Sequence, residues 1–189
     1  KMQKLMQEEG TSLEQLEEEL KDKMKKLYLP QPDEKTGIIP QFDGYFDLKE
    51  IDLSVYKNAS VVGTIFHDYS GEDVQKMQAG KQADIVELLY QMEDITTPDN
   101  KAKNYVYYEA RTLHDSSLSK AIHSITACDL GMEKEAYEMF MSAALTDLGQ
   151  EMKSSDAGIH SANMGGVWQD VVMGFGGIRI RDGHLRIAP

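Results

Sequence analysis

Apolar positions recur at helical spacing in several separate runs of this chain, and polar or glycine-rich stretches divide them. Leu13, Leu16, Leu20, Met24 and Leu27 form the first stripe and predict a helix over 12–28. Ser12 can cap it, and Glu14, Glu17, Glu18 and Glu19 load its early turns. Lys21, Lys23, Lys25 and Lys26 follow, the order of charge that the helix dipole prefers. Pro30 and Pro32 end it. A loop-rich stretch over 33–71 is punctuated by Gly37, Pro40, Gly44, Gly63 and Gly71. Its aromatics Phe42, Tyr45 and Phe46 flank an Asp43-Gly44 turn and read as anchors to a core. A short helix over 72–79 and a longer one over 81–92 follow, the latter with Ile85, Leu88, Leu89 and Met92 as its stripe. Pro98 opens a helix over 98–108, with Asp99 in its first turn. Further helices are predicted from Ser116 to Leu130, stopped by Gly131, and from Met132 to Leu148, with Ala136, Met139, Phe140, Ala143 and Ala144 on one face. After a polar loop over 149–158, a helix over 161–173 ends at Gly174, Gly176 and Gly177. Ile178 to Ile187 alternates around Asp182-Gly183, the pattern of a short hairpin. The fold class is all-α with one short terminal β-hairpin.

Composition narrows the partners. The 189 residues are 41% hydrophobic and 28% charged, which suits a folded domain with a substantial core. The net charge of −12 argues against nucleic acid and anionic membranes, both of which reward clustered Lys and Arg. The single cysteine, Cys128, lies in an apolar helical run and reads as a small buried hydrophobe, and its isolation points to a reducing, cytoplasmic compartment. No apolar run approaches the roughly 18 residues of a membrane span, and no signal peptide opens the chain. Lys1 begins inside a charged helical pattern and Pro189 ends a strand pattern, so both ends read as cut from something longer.

Candidate chemistry sits at three predicted helix entrances. Lys81 and Gln82 open the helix after Gly80, where a lysine opposes the dipole; an anion or polyhydroxyl ligand would explain it, and so would plain solvation. His114-Asp115-Ser116-Ser117-Leu118-Ser119 packs an imidazole, a carboxylate and three hydroxyls into six residues. It reads either as a helix cap or as a donor cluster for an anion such as phosphate. Gly158 to Gly166 places His160 among small residues that let a ligand approach the backbone. His123 reads as structural. His114 and His123 are nine apart, with no metal-ligand spacing, no phosphate loop and no dinucleotide fingerprint, so no metal and no cofactor are expected.

Taken in order, several motifs resemble glycoside hydrolase family 65: Gln41-Phe42-Asp43-Gly44-Tyr45-Phe46, Lys81-Gln82-Ala83-Asp84, Tyr107-Tyr108-Glu109 through Ser119, Ile122-His123-Ser124, Gly158-Ile159-His160 through Trp168, and Gly174-Phe175-Gly176-Gly177. They cover about residues 28–189. The resemblance implies an (α/α)6 barrel, with 1–175 as the C-terminal half of its catalytic toroid and 176–189 as the start of the following β segment. It implies an inverting disaccharide phosphorylase acting on maltose, trehalose, kojibiose, nigerose or trehalose 6-phosphate. Some members are hydrolases, so an inverting α-glucoside hydrolase is the alternative, and a fragment serving only binding or assembly is a third reading. By the resemblance, Lys81 and Gln82 bind the donor sugar, and Ser116, Ser117 and His160 bind phosphate. The family's general acid is a glutamate in a motif absent here, so no catalytic residue is expected in this chain and the chain alone is expected to be inactive. Partners are then a disaccharide and inorganic phosphate. Half a barrel would leave an apolar flank open, so a homo-oligomer or association with the missing N-terminal part is expected.

Overall fold

The computed structural model describes residues 12–57, 61–148, 158–181 and 183–189. It divides into two units, Lys1–Gln31 and Pro32–Pro189. The described part of the first is helix α1, Leu13–Lys26. Ser12 Oγ accepts from the Gln15 N–H and the Gln15 side chain accepts from the Ser12 N–H, both at 3.1 Å, a reciprocal cap. Glu17–Lys21, Glu19–Lys23 and Asp22–Lys26 pair four residues apart, acid first, the favourable polarity for a helix.

The second unit holds α2 (Asp84–Gln91), α3 (Pro98–Ala110), α4 (Ser119–Asp129), α5 (Glu133–Ala144) and α6 (Ser161–Gln169). Helix α6 runs on as a wider π-type turn over Asp170–Phe175. Strands β1 (Ile178–Arg181) and β2 (His184–Ile187) pair antiparallel, with Ile178 opposite Ile187 and Arg181 opposite His184. Of the expected turn, Gly183 is left-handed at φ 75° and Asp182 lies outside the described residues, as does most of the 149–158 loop. The mostly helical class with one hairpin is as read from the sequence.

The structure and the sequence reading differ at several helix bounds, in two cases because backbone groups are used elsewhere. The helix expected over 72–79 is only Gly71–Val74. Beyond it the Lys49 N–H donates to Lys76 O and the Gln78 N–H to Lys49 O, both at 2.9 Å, which draws the chain into a bridge instead of another turn. Helix α2 starts at Asp84, not 81, because Gly80 is held in a parallel bridge with Thr112. Helix α4 starts at Ser119, with Leu118 as its N-cap, not Ser116.

Helix directions follow from side-chain contacts. Asp84 and Glu87 of α2 share a cleft with Ser119, Ile122 and His123 of α4. At the far ends, Arg179 lies 5.4 Å from the Tyr90 ring and 2.7 Å from Asp129. So α2 and α4 run the same way. A Cβ on Gly166 would stand 3.1 Å from the Ala121 Cβ, Asp170 meets Ser124 at 2.9 Å, and a Cβ on Gly174 would stand 3.4 Å from Cys128 Sγ. Helix α6 therefore also runs parallel to α4. Lys101–Asp129 at 2.6 Å and His123–Glu109 at 2.5 Å set α3 antiparallel to α4. Ser124 donating to Ala136 O at 2.8 Å, with Lys120 on Ser142, does the same for α5. The core between these layers gathers Val86, Leu89, Tyr105, Tyr108, Ala127 and Ala136. Asn104, fully buried, ties the loop over residues 37–39 to α3: it accepts from the Ile39 N–H at 2.8 Å and donates to Gly37 O at 2.9 Å.

Candidate functional site

Because α2, α4 and α6 run in one direction, their N-terminal entrances open at the same end of the unit. Those entrances carry the three polar segments singled out from the sequence. The Gly80 N–H donates to Arg111 O at 2.9 Å and the Leu113 N–H to Gly80 O at 2.8 Å, which lashes the Lys81-Gln82 segment to the strand-like lead into His114. Lys81 and Gln82 are both exposed, three and two residues ahead of the start of α2 rather than in its first turn. Gln82 lines a cleft of about 290 Å³ with Ala83, Asp84, Glu87, Leu118, Ser119, Ile122 and His123. So the structure brings Gln82 to the entrance of α4.

Ser116 and Ser117 lie half-buried in the turn leading into α4. Neither hydroxyl caps the helix. Ser116 O accepts from the Ser119 N–H at 3.1 Å, and Ser116 Oγ makes only a long 3.4 Å contact with the Leu118 N–H. The side-chain cap expected here is thus replaced by a tight turn. Asp115 accepts from the Gly63 N–H at 3.0 Å.

Glu109, from the last turn of α3, organises what lies beneath. Its Oε1 accepts from the Lys57 ammonium at 2.6 Å, and its Oε2 lies 2.5 Å from His123 Nδ1 and 3.0 Å from His114 Nε2. A carboxylate only accepts, so both imidazoles must turn an N–H toward it. His114 Nδ1 is then a lone pair, and the Ser119 hydroxyl at 2.9 Å donates to it. Burial alone would raise the Glu109 carboxyl, but the His114 and His123 hydrogen bonds outweigh it and hold the carboxyl well below the usual range. Burial pushes His114 down to about 4, against the pull of Glu109, so it is neutral near pH 7. His114 also sits at φ +55°, a left-handed conformation that costs a non-glycine residue roughly 1–2 kcal/mol. The side-chain bonds hold it there.

Glu109, His114 and His123 offer ligand atoms within 4.8 Å of one another, a set that could hold a metal ion. The distances favour shared protons instead. Ligands bonded at about 2.0–2.1 Å to one tetrahedral zinc stand about 3.4 Å apart. The His123 Nδ1 to Glu109 Oε2 separation is 2.5 Å. Sequence spacing had set these two histidines apart, and the fold brings their rings to 4.6 Å.

His160 is the N-cap of α6. Its backbone N–H and its Nδ1 each lie 2.6 Å from an oxygen of Asp147, so Nε2 is the ring nitrogen not engaged by that carboxylate. The hydrogen bonds of His160 thus go to Asp147 and not to the Ser116-Ser117 turn, although parallel packing of α4 and α6 sets both at the same end. A larger open groove of about 1000 Å³ runs along the outward face of α3, where Arg111 stacks 3.7 Å over the Tyr107 ring. It holds none of these candidate residues.

The model of the Glycosyl hydrolase family 65 central catalytic domain matches residues 1–169. The chain belongs to glycosyl hydrolase family 65. A kojibiose phosphorylase from Halothermothrix orenii is 48% identical over 172 residues, covering 90% of this chain and 22% of that protein. One from Escherichia coli is 40% identical over 168 residues, 88% of this chain and 22% of that protein. A solved structure from the human microbiome, provisionally named a kojibiose phosphorylase, matches all of this chain and 27% of its own at 31% identity, with a TM-score of 0.83. The chain therefore spans about 22% of the length of these curated relatives. Among the described residues of this family 65 chain no helix is long and apolar enough to cross a membrane.

Proposed function

We propose that this chain supplies the sugar- and phosphate-side wall of the catalytic (α/α)6 barrel of an inverting disaccharide phosphorylase in the cytoplasm. In this reading α2, α4 and α6 are inner helices of the toroid and α3 and α5 are outer ones. Residues 1–175 belong to the barrel and 176–189 to the segment after it. Lys81 and Gln82 hold the donor glucosyl unit, and Ser116, Ser117 and His160 hold phosphate. The observation that carries it is the chemistry at the shared end of the three helices. The half-buried Ser116 and Ser117 hydroxyls, the His160 imidazole and helix N-termini gather at that end, and the carboxylates among them are already engaged: Glu109 by Lys57, His114 and His123, Asp115 by the Gly63 N–H, and Asp147 by His160.

That distribution suits phosphorolysis. In an inverting hydrolase a carboxylate base aims a water at the anomeric carbon; phosphate, already an anion, needs hydrogen-bond donors in that place. A phosphate oxygen attacks the anomeric carbon, the glycosidic C–O bond breaks, and a carboxylic acid outside these 189 residues protonates the departing oxygen. The products are β-glucose 1-phosphate and a free sugar. Kojibiose is the first substrate to assay, on the names of the relatives. Met164 and Trp168, both exposed on α6, are a surface that the rest of such a barrel or a second copy would cover.

The test is steady-state phosphorolysis by the full-length enzyme. Ser117→Ala and His160→Ala should each raise the phosphate KM about tenfold or more, the loss of one charge-assisted hydrogen bond. Unchanged phosphate KM in both, or full activity without phosphate, would refute the reading.

A further inference from the structure

Asp115, Ser116, Ser117 and Leu118 form a short loop whose neck is closed by one side-chain contact, the 2.9 Å hydrogen bond between His114 Nδ1 and Ser119 Oγ. On its other nitrogen His114 is held by both oxygens of Glu109, at 3.1 and 3.0 Å. Glu109 is fixed in turn by Lys57 and His123, on two other elements. The imidazole is thus the link between a rigid buried hub and a loop whose two central hydroxyls make almost no internal hydrogen bonds. No backbone requirement explains why a histidine should occupy a left-handed position that glycine or asparagine fills more readily.

We propose that His114 is a positioning residue: by bridging Glu109 and Ser119 it fixes the Ser116-Ser117 turn in the shape that receives phosphate. This rests on the assignment of Ser116 and Ser117 to phosphate. The hub sets the tautomer, the tautomer makes Nδ1 an acceptor, and the Ser119 hydroxyl is thereby committed inward. Its backbone then begins α4 at a fixed place, and the turn before it cannot slide. His114 does not touch the anion.

The full-length enzyme is assayed for the KM of phosphate and of disaccharide separately, with thermal unfolding of each variant. His114→Gly keeps the backbone conformation open but removes the latch. It should raise the phosphate KM about tenfold to a hundredfold, the scale of a small misplacement of binding groups, and leave the disaccharide KM nearly unchanged. His114→Asn tolerates the left-handed position and sets Oδ1 near the place of Nδ1, where Ser119 can still donate, so it should recover most of the phosphate KM. Should His114→Gly unfold, Ser119→Ala removes the same bond from the other end and should raise the phosphate KM severalfold. Two KM values rising together, or an Asn variant no better than Gly, would mean a merely structural histidine and overturn the proposal. Ser117→Ala is the control. If it raises the phosphate KM while His114→Gly and Ser119→Ala do not, the latch is wrong and the phosphate site stands. If Ser117→Ala leaves it unchanged, both fall.

Discussion

Asp170 is fully buried where α6 widens into its π-type turn, and it should couple folding to a proton. Oδ1 lies 2.9 Å from Ser124 Oγ, and that same serine oxygen lies 2.8 Å from Ala136 O. A serine has one proton to give. If Ser124 donates to Ala136 O, Asp170 must be the donor to Ser124, and so be protonated. Burial points the same way, pushing the carboxyl up to about 7 from 3.8. The native state then holds a proton that the unfolded chain has released between pH about 4 and 7. Native binding exceeds unfolded binding there, so this group's contribution to stability falls as pH rises and levels off above pH 7. A rise from 3.8 to about 7 corresponds to about 4 kcal/mol. His114 works in the opposite sense. Its pKa drops from 6.5 to about 4, so the unfolded chain binds the extra proton and stability rises with pH over that window. The two slopes overlap and largely cancel, which makes the raw profile uninformative and the difference profile decisive. Asp170→Asn can still donate to Ser124 and carries no titration. In urea unfolding of the 189-residue chain at pH 5 to 8, the variant should gain on the parent by about 2–4 kcal/mol across that range. A constant offset at every pH would show that Asp170 is ionised in the native state and that the proton chain is wrong.

Two further perturbations probe the buried polar groups. Glu109→Gln removes the negative charge and leaves one acceptor oxygen where Lys57 and the two histidines used two, so one side of the hub must face an amide NH2; it should cost about 3–5 kcal/mol in urea unfolding, and a loss under about 1 kcal/mol would contradict the hub. Burial, with the Asp170 and Asp129 carboxylates, raises the Cys128 thiol to about 11, so the native chain at pH 7.5 should react with a chromogenic disulfide about a hundredfold more slowly than the denatured chain; equal rates would contradict the packing.

Helix periodicity in the sequence was a sound guide wherever a stripe faced one neighbour. Thr97 and Pro98 start α3 as their chemistry dictates, with the Thr97 hydroxyl accepting from the Asn100 N–H at 3.2 Å. It failed where backbone groups found partners far along the chain. Nothing local in Gly80-Lys81-Gln82 shows that Gly80 bonds to both Arg111 and Leu113, and that pairing is what delays α2 and carries Gln82 toward α4. The Glu109 hub had one readable signal. Glu109 stands four residues after Tyr105, on the same helical face, and Tyr105 is fully buried. A carboxylate on a buried face needs partners. Which partners were used depended on the antiparallel crossing of α3 and α4, and spacing along the chain does not contain that. Asp147 and His160 were likewise joined only by the fold.

The same fold logic bears on the proposed anion site at one end of this unit. Parallel helices place like ends together, and three N-termini repel one another unless negative charge lies between them. Acidic side chains could supply it, and Asp84 and Glu87 do so along the cleft beside Gln82. At the α4 entrance Glu109 is neutralised by Lys57, and the half-buried Asp115, which accepts from the Gly63 N–H, lies beside Ser116 and Ser117. At the α6 entrance Asp147 accepts from the backbone N–H and lies on Nδ1 of the N-cap His160, so a carboxylate already stands at that N-terminus. In the proposed reading phosphate supplies the negative charge at the α4 entrance, where the N-cap Leu118 offers no side-chain acceptor. On the same reading a chain of net charge −12 admits an anion at this end because the carboxylates there are already engaged, Glu109 by Lys57, His114 and His123 and Asp147 by His160.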